Sequence, residues 1–132
     1  MSINHWIVKN LVCTLFLVVG GLNIYAQKDK YLIEAEAFQF KGKWSTDRSA
    51  DCMGSAMLRL NGGGSLDEQF DALTVVNIME EGDYNVWVRS ADYDKLPGTR
   101  LFRLSVDEKP MKESGKHGKV GFYWENAGCV QL

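Results

Sequence analysis

Glu34 and Glu36 have the spacing most suggestive of chemistry in this chain. In Tyr31-Leu32-Ile33-Glu34-Ala35-Glu36-Ala37, strand alternation puts Ile33, Ala35 and Ala37 on one face and the two carboxylates on the other. Carboxylates side by side can share a hard cation such as calcium. Calcium takes about six or more oxygens, so the rest of such a site has to come from backbone carbonyls and distant loops. A solvated strand face accounts for the pair on composition alone.

The aromatics offer a second chemistry. Trp44, Trp87, Tyr93, Phe122, Tyr123 and Trp124 fall in or beside expected loops and strand ends. The apolar C–H face of a sugar stacks on a flat ring, while neighbouring Arg, Asn or Asp groups bind hydroxyls. Trp87 and Phe122 lie inside apolar runs and read as packing. Tyr93, in Ser90-Ala91-Asp92-Tyr93-Asp94, and the segment Tyr123-Trp124-Glu125-Asn126 divide evenly between packing and ligand contact. Alternation lets only one of Tyr123 and Trp124 face the core, which leaves its neighbour outward with Asn126 close by.

Catalysis finds no comparable support. His117 sits between Lys116 and Gly118 in a polar, glycine-rich stretch, with no evident partner to position it as a base. The serines lie in no nucleophile elbow, and Asn61-Gly62-Gly63-Gly64 lacks the lysine and following helix of a phosphate loop. The expected catalytic set is therefore empty, and the chain reads as a non-enzyme.

These residues must be placed by elements that follow a leader. One lysine, Lys9, precedes the apolar run from Leu11 to Leu22, which has signal-peptide length and is short for a membrane span. Ala26 precedes Gln27-Lys28-Asp29-Lys30, so the expected cut follows Ala26 and the mature domain is 27–132, exported to the periplasm, cell surface or medium. Val12 before Cys13 argues against a lipoprotein. Loss of Lys9 leaves fourteen Lys and Arg against seventeen Asp and Glu. That scattered, mildly acidic balance excludes a phosphate-binding stripe, so nucleic acid is not an expected partner; nor is the membrane after cleavage. Cys52 and Cys129 remain, and export would allow them to pair without requiring it.

From Tyr31 onward, short alternating runs recur between Gly, Asn and Asp breakers, and no window holds helical spacing. Strands are expected over 31–37, 55–60, 73–79, 84–91, 101–106, 120–124 and 129–132, with 73–79 and 84–91 joined as a hairpin through Glu80-Glu81-Gly82-Asp83. Asp107-Glu108-Lys109-Pro110 reads as a turn. The expected fold is all-β, an antiparallel sandwich.

Ile33-Glu34-Ala35-Glu36-Ala37, then Gly82-Asp83-Tyr84-Asn85-Val86-Trp87-Val88-Arg89-Ser90-Ala91, then a Trp and the apolar run from Val130 together resemble the β-jelly-roll carbohydrate-binding modules of the family 6 and family 35 type, from about Tyr31 to the last residue. The resemblance implies a structural calcium held by Glu34 and Glu36, reversing the compositional reading of that pair. It also implies a glycan site drawn from Tyr93, Tyr123, Trp124 and Asn126. Such domains continue past the strand matching Cys129-Val130-Gln131-Leu132 to a final strand whose aspartate also serves the calcium, so an incomplete module of a polysaccharide-processing protein is expected. The Phe40-Lys41-Gly42-Lys43-Trp44 segment is similar to N-terminal domains of exported FAD-dependent oxidoreductases. No strand–GxGxxG–helix flavin motif lies in these residues, which leaves open a sandwich that positions a downstream enzyme without binding sugar.

Overall fold

The structure, a computed structural model, describes residues 3–9, 14–18, 30–48, 51–65 and 67–132. Ten strands follow in chain order: β1 Ile3–Lys9, β2 Thr14–Val18, β3 Leu32–Glu34, β4 Ser45–Arg48, β5 Ala56–Arg59, β6 Asp71–Asn77, β7 Asp83–Ala91, β8 Arg103–Val106, β9 Lys109–Pro110 and β10 Phe122–Gln131. They form two four-stranded sheets, ordered β6-β1-β8-β9 and β10-β7-β2-β3, and a two-stranded β4-β5 ribbon. Every strand pairing is antiparallel. The chain is all-β; among the described residues the only helical pieces are three-residue 3₁₀ turns, and no helix is long and apolar enough to cross a membrane.

Alternation along β7 sets the core. Tyr84, Val86, Val88 and Ser90 are buried on one face while Asn85, Trp87, Arg89 and Ala91 are half-buried on the other. Val86 and Val88 join Leu104, Val106 and Ala72 of the second sheet, with Leu58 of the ribbon, in one apolar cluster. Full burial stabilises each such valine or leucine by roughly 1.5–3 kcal/mol. Tyr84 carries its polar end to the edge, where its hydroxyl donates to the Glu80 carbonyl at 2.6 Å. Tyr31 packs edge-on against its ring.

Three departures from the pattern of runs after Tyr31 change how the strands pair or end. Residues 31–37 are not one strand: β3 ends at Glu34, and Ala35–Ala37 close a 3₁₀ turn through a Phe38 N–H to Ala35 carbonyl bond of 3.1 Å. Ile33 and Ala35 are buried as alternation requires, but Ala37 is exposed. The turn instead buries Phe38, so a large ring replaces a methyl group in the core. Second, β6 and β7 are not a hairpin; they belong to different sheets. The 78–82 link carries the chain from one sheet to the other, and Gly82 exchanges both backbone hydrogen bonds with Leu132, at 2.9 and 3.0 Å.

Third, the runs 120–124 and 129–132 are parts of one ten-residue strand, β10, which stays in register with β7 across a bulge between Asn126 and Gly128. The bulge absorbs the glycine-containing break that split the pattern: Gly128 has φ of +121°, and the Asn126 side-chain oxygen accepts its N–H at 2.8 Å. Asp107 and Glu108 do turn the chain, both with positive φ, as the two-residue loop joining β8 to β9.

Residues 3–9, ahead of the apolar run of the expected leader, and 14–18, within it, are strands inside the two sheets. The cut after Ala26 and Cys13 lie outside the described residues. Cys52 is buried and Cys129 exposed, and the structure holds no bridge between them. In the native protein iodoacetamide should label Cys129 and spare Cys52 until the chain is unfolded, as read by peptide mass mapping; linked 52 and 129 peptides without reductant would contradict this.

Candidate functional site

Asp92 organises one end of the sheets. It follows the last residue of β7 and is 1% exposed. One carboxylate oxygen accepts the N–H groups of Tyr93 at 2.7 Å and Arg100 at 3.3 Å; the other accepts those of Gly98 at 2.6 Å and Gly118 at 2.8 Å. Burial alone would raise its pKa, but these four backbone donors outweigh burial and hold the group below the usual carboxylate range. One side chain thereby ties the 93–100 loop to the 115–121 loop.

A second carboxylate repeats the device on β10. Glu125 Oε2 accepts the Gly115 N–H at 2.8 Å and the Ser90 hydroxyl at 3.3 Å. Gly115 has φ of +102°, and a Cβ there would stand 2.9 Å from the Phe102 ring and 3.2 Å from the Arg100 carbonyl, so the loop is tight where only glycine fits. The His117 ring nitrogen Nε2 lies 3.1 Å from the Ser90 carbonyl, and Nδ1 accepts the Lys119 N–H at 3.1 Å. His117 is therefore a loop-fixing residue.

These loops border a cleft of about 380 Å³, lined by Ser90, Ala91, Thr99, Arg100, Leu101, Phe102 and Gly115 on one side and by Trp44, Leu60 and Gly62 to Gly64 on the other. Trp44 is buried, and its indole N–H donates to the Phe70 carbonyl at 2.7 Å, which leaves its ring as fixed apolar wall. The cleft thus pairs apolar surface with a guanidinium, a hydroxyl and glycine backbone.

The aromatic and amide candidates separate into two groups. Arg100 lies over the exposed Tyr93 ring, 5.3 Å from its centre, and so links Tyr93 to the cleft. Tyr123 stands opposite Ser90 in the β10–β7 register, on the face that carries Val86 and Val88. His117 packs on its ring at 5.3 Å and the Lys119 ammonium lies 4.5 Å from its centre. Trp124 stands opposite Arg89, and Asn126 opposite Trp87, on the reverse face. Tyr123 and Trp124 are both about 40% exposed, but they do not share one platform. Thr99, Arg100 and the Gly62 to Gly64 run were missed from sequence, because no motif marks residues that meet only through folding.

Glu34 and Glu36 lie apart from this end, on the last residue of β3 and in the following turn. Gly54 makes room for Glu34: with φ of +69°, a Cβ there would stand 2.9 Å from the Glu34 carboxylate. Glu36 Oε2 is buried without a hydrogen-bond partner. Its burial first, and the charge of Glu34 as well, push the Glu36 carboxyl above the usual carboxylate range, against a backbone hydrogen bond and Lys41, which act to lower it. An orphaned anionic oxygen beside a like charge suits a hard cation. Among the described residues no three His, Cys, Asp or Glu side chains converge on a common metal position, so a cation held here would need further ligands from backbone carbonyls or water.

The chain matches no protein-family model, no curated protein and no solved structure.

Replacing Asp92 with Asn presents an amide to backbone donors that need an anion. The substitution should cost about 2 kcal/mol, roughly 10 °C in Tm for a domain of this size. The stability Asp92 contributes is present above the unfolded carboxylate pKa and is lost as pH falls through its lowered folded value. A D92N variant melting like the parent at pH 7 would remove Asp92 from this role.

Proposed function

We propose that this chain is an exported, non-catalytic carbohydrate-binding module, a jelly-roll β-sandwich led by a signal peptide over residues 1–26, that seats a glycan in the cleft beside Arg100. The observation that carries this reading is the cleft itself. Its volume of about 380 Å³ falls in the range of about 300–1,000 Å³ usual for ligand sites. Its lining brings apolar residues such as Trp44 and Phe102 together with Ser90, Thr99 and Arg100. Arg100 can donate to sugar hydroxyls, Thr99, whose own hydroxyl donates to the Leu96 carbonyl at 2.6 Å, can accept from them, and Tyr93 lies next to the cleft under the Arg100 guanidinium. Tyr123 borders the same end through Ser90 and His117. Trp124 and Asn126 supply a contact surface on the reverse face. The reading gives the domain a targeting role beside a polysaccharide-processing enzyme.

Calcium has a structural part in this reading. Glu34 and Glu36 would hold it, with backbone carbonyls completing the sphere, and the ion would neutralise the buried Glu36 oxygen.

A glycan-array screen of the full chain, followed by titration of a binding oligosaccharide, tests the site. Arg100→Ala should weaken binding at least about tenfold, the loss of one hydrogen bond to a charged group, without lowering Tm; Tyr93→Ala should weaken it less. Replacing Trp124 while Arg100 is intact separates the two faces. Absence of any glycan ligand, with calcium present, would favour the sandwich that only positions a downstream enzyme.

In chelator, stability should fall as pH rises through the raised Glu36 pKa, since ionisation there is unfavourable in the folded state. Calcium should raise Tm at neutral pH by several degrees through mass action. Glu36→Gln should itself raise Tm in chelator and abolish the calcium response. An equal calcium shift in E36Q and parent would place the ion elsewhere.

A further inference from the structure

Two strands of this fold belong to the segment that the export reading removes. β1 stands between β6 and β8, and β2 between β7 and β3. β1 pairs with β6 from Ile3 opposite Asn77 to Lys9 opposite Asp71, and with β8 from Trp6 opposite Val106 to Lys9 opposite Arg103. β2 pairs with β7 from Thr14 opposite Arg89 to Val18 opposite Asn85, and with β3 from Thr14 opposite Glu34 to Phe16 opposite Leu32. Both are interior strands.

Removing an interior strand differs from trimming an edge. Each sheet loses the partners of two rows of N–H and C=O groups at once, and unpaired backbone groups are costly wherever water cannot reach them. Neighbouring strands lie about 4.7–4.9 Å apart, so each vacancy is roughly 9–10 Å wide, too wide for its flanking strands to pair across. The vacancies also open onto the core. Trp6 holds the position opposite Thr74 and Val106, and Val8 that opposite Ala72 and Leu104. Leu15 holds the position opposite Val88 and Ile33, and Leu17 that opposite Val86. All seven of these neighbours are buried.

We propose that this fold is a strand acceptor: with residues 1–26 severed, its two slots bind an extended polypeptide, antiparallel to their flanking strands and apolar at the positions now held by Trp6, Val8, Leu15 and Leu17. The inference rests on the leader reading of residues 1–26. The partner is defined by what the slots require. It presents seven- and five-residue strands separated by a short link, as β1 and β2 are. It carries no charge opposite Val106, Leu104, Val88 or Val86, where a charge would be buried without a partner. Backbone hydrogen bonds supply affinity and the alternate apolar side chains supply register, as in other strand-addition complexes. The leader strands are then placeholders that hold both sheets together until the partner replaces them.

The full chain with a specific protease site inserted between Ala26 and Gln27, cut after folding, provides the test. The severed 1–26 peptide should co-elute with the body, and a fluorescent peptide of residues 3–18 should exchange into it, read by anisotropy. The same peptide carrying Val8→Asp and Leu15→Asp should bind at least tenfold more weakly. If the body loses its β-sheet circular dichroism when the peptide leaves, the parental peptide and not the doubly substituted one should restore it. A body that keeps its Tm without the peptide and takes up no label would overturn the proposal. So would equal binding of the two peptides, or loss of structure that the parental peptide cannot reverse. Intact mass of the exported protein judges the leader separately: retention of residues 1–26 ends the leader reading even where exchange occurs, and cleavage without exchange ends the acceptor alone.

Discussion

The carboxylate of Asp92 is the constraint on which the cleft end of this protein depends. Four backbone N–H groups from two loops converge on its two oxygens. A buried anion is tolerated there because the donors it gathers more than replace its water. Tyr93, Arg100 and the Gly115 turn keep their places because their backbones are tied, directly or through Glu125, to β7 and β10. Loops held at both ends in this way can present a guanidinium and a hydroxyl over a cleft without paying the full ordering entropy at binding.

The opposite condition holds at Glu36. There a buried carboxylate oxygen has no donor, and Glu34 adds a like charge. The two carboxylates thus show how one functional group stabilises or destabilises according to what surrounds it. Asp92 finds its donors within the chain, and Glu36 keeps one oxygen without any among the described residues. The placement of β1 and β2 as interior strands extends the same theme to backbone groups, since the sheets depend on partners that the export reading assigns to a removable segment.

Much of the strand content was legible because burial imposes a period of two. Tyr84, Val86, Val88 and Ser90 alternate in sequence and are buried in the fold, and the Asp107-Glu108 turn falls where polar residues interrupt the pattern. Pairing was not legible. A short polar link reads the same whether it joins hairpin partners or crosses between sheets, so β6 and β7 were paired from sequence although they lie in different sheets. The Glu34 and Glu36 spacing indicated proximity, but the 3₁₀ turn that buries Phe38 also removed Glu36 from the strand. For the candidate site, Tyr93 was legible as an aromatic in or beside a loop, and of Tyr123 and Trp124 the alternation marked one as outward without choosing between them. Arg100, Thr99 and the Gly62 to Gly64 run were not legible, because they meet only when segments distant in sequence fold together.

The central claim is that a glycan sits in the cleft that Asp92 organises. Backbone amide chemical-shift mapping during titration with an array-positive oligosaccharide tests it most directly, because each amide reports its own location. The account predicts the largest changes at Thr99, Arg100, Gly115 and Gly62 to Gly64. Changes confined to Arg89, Trp124 and Asn126 on the reverse face, with the cleft amides unmoved, would contradict it.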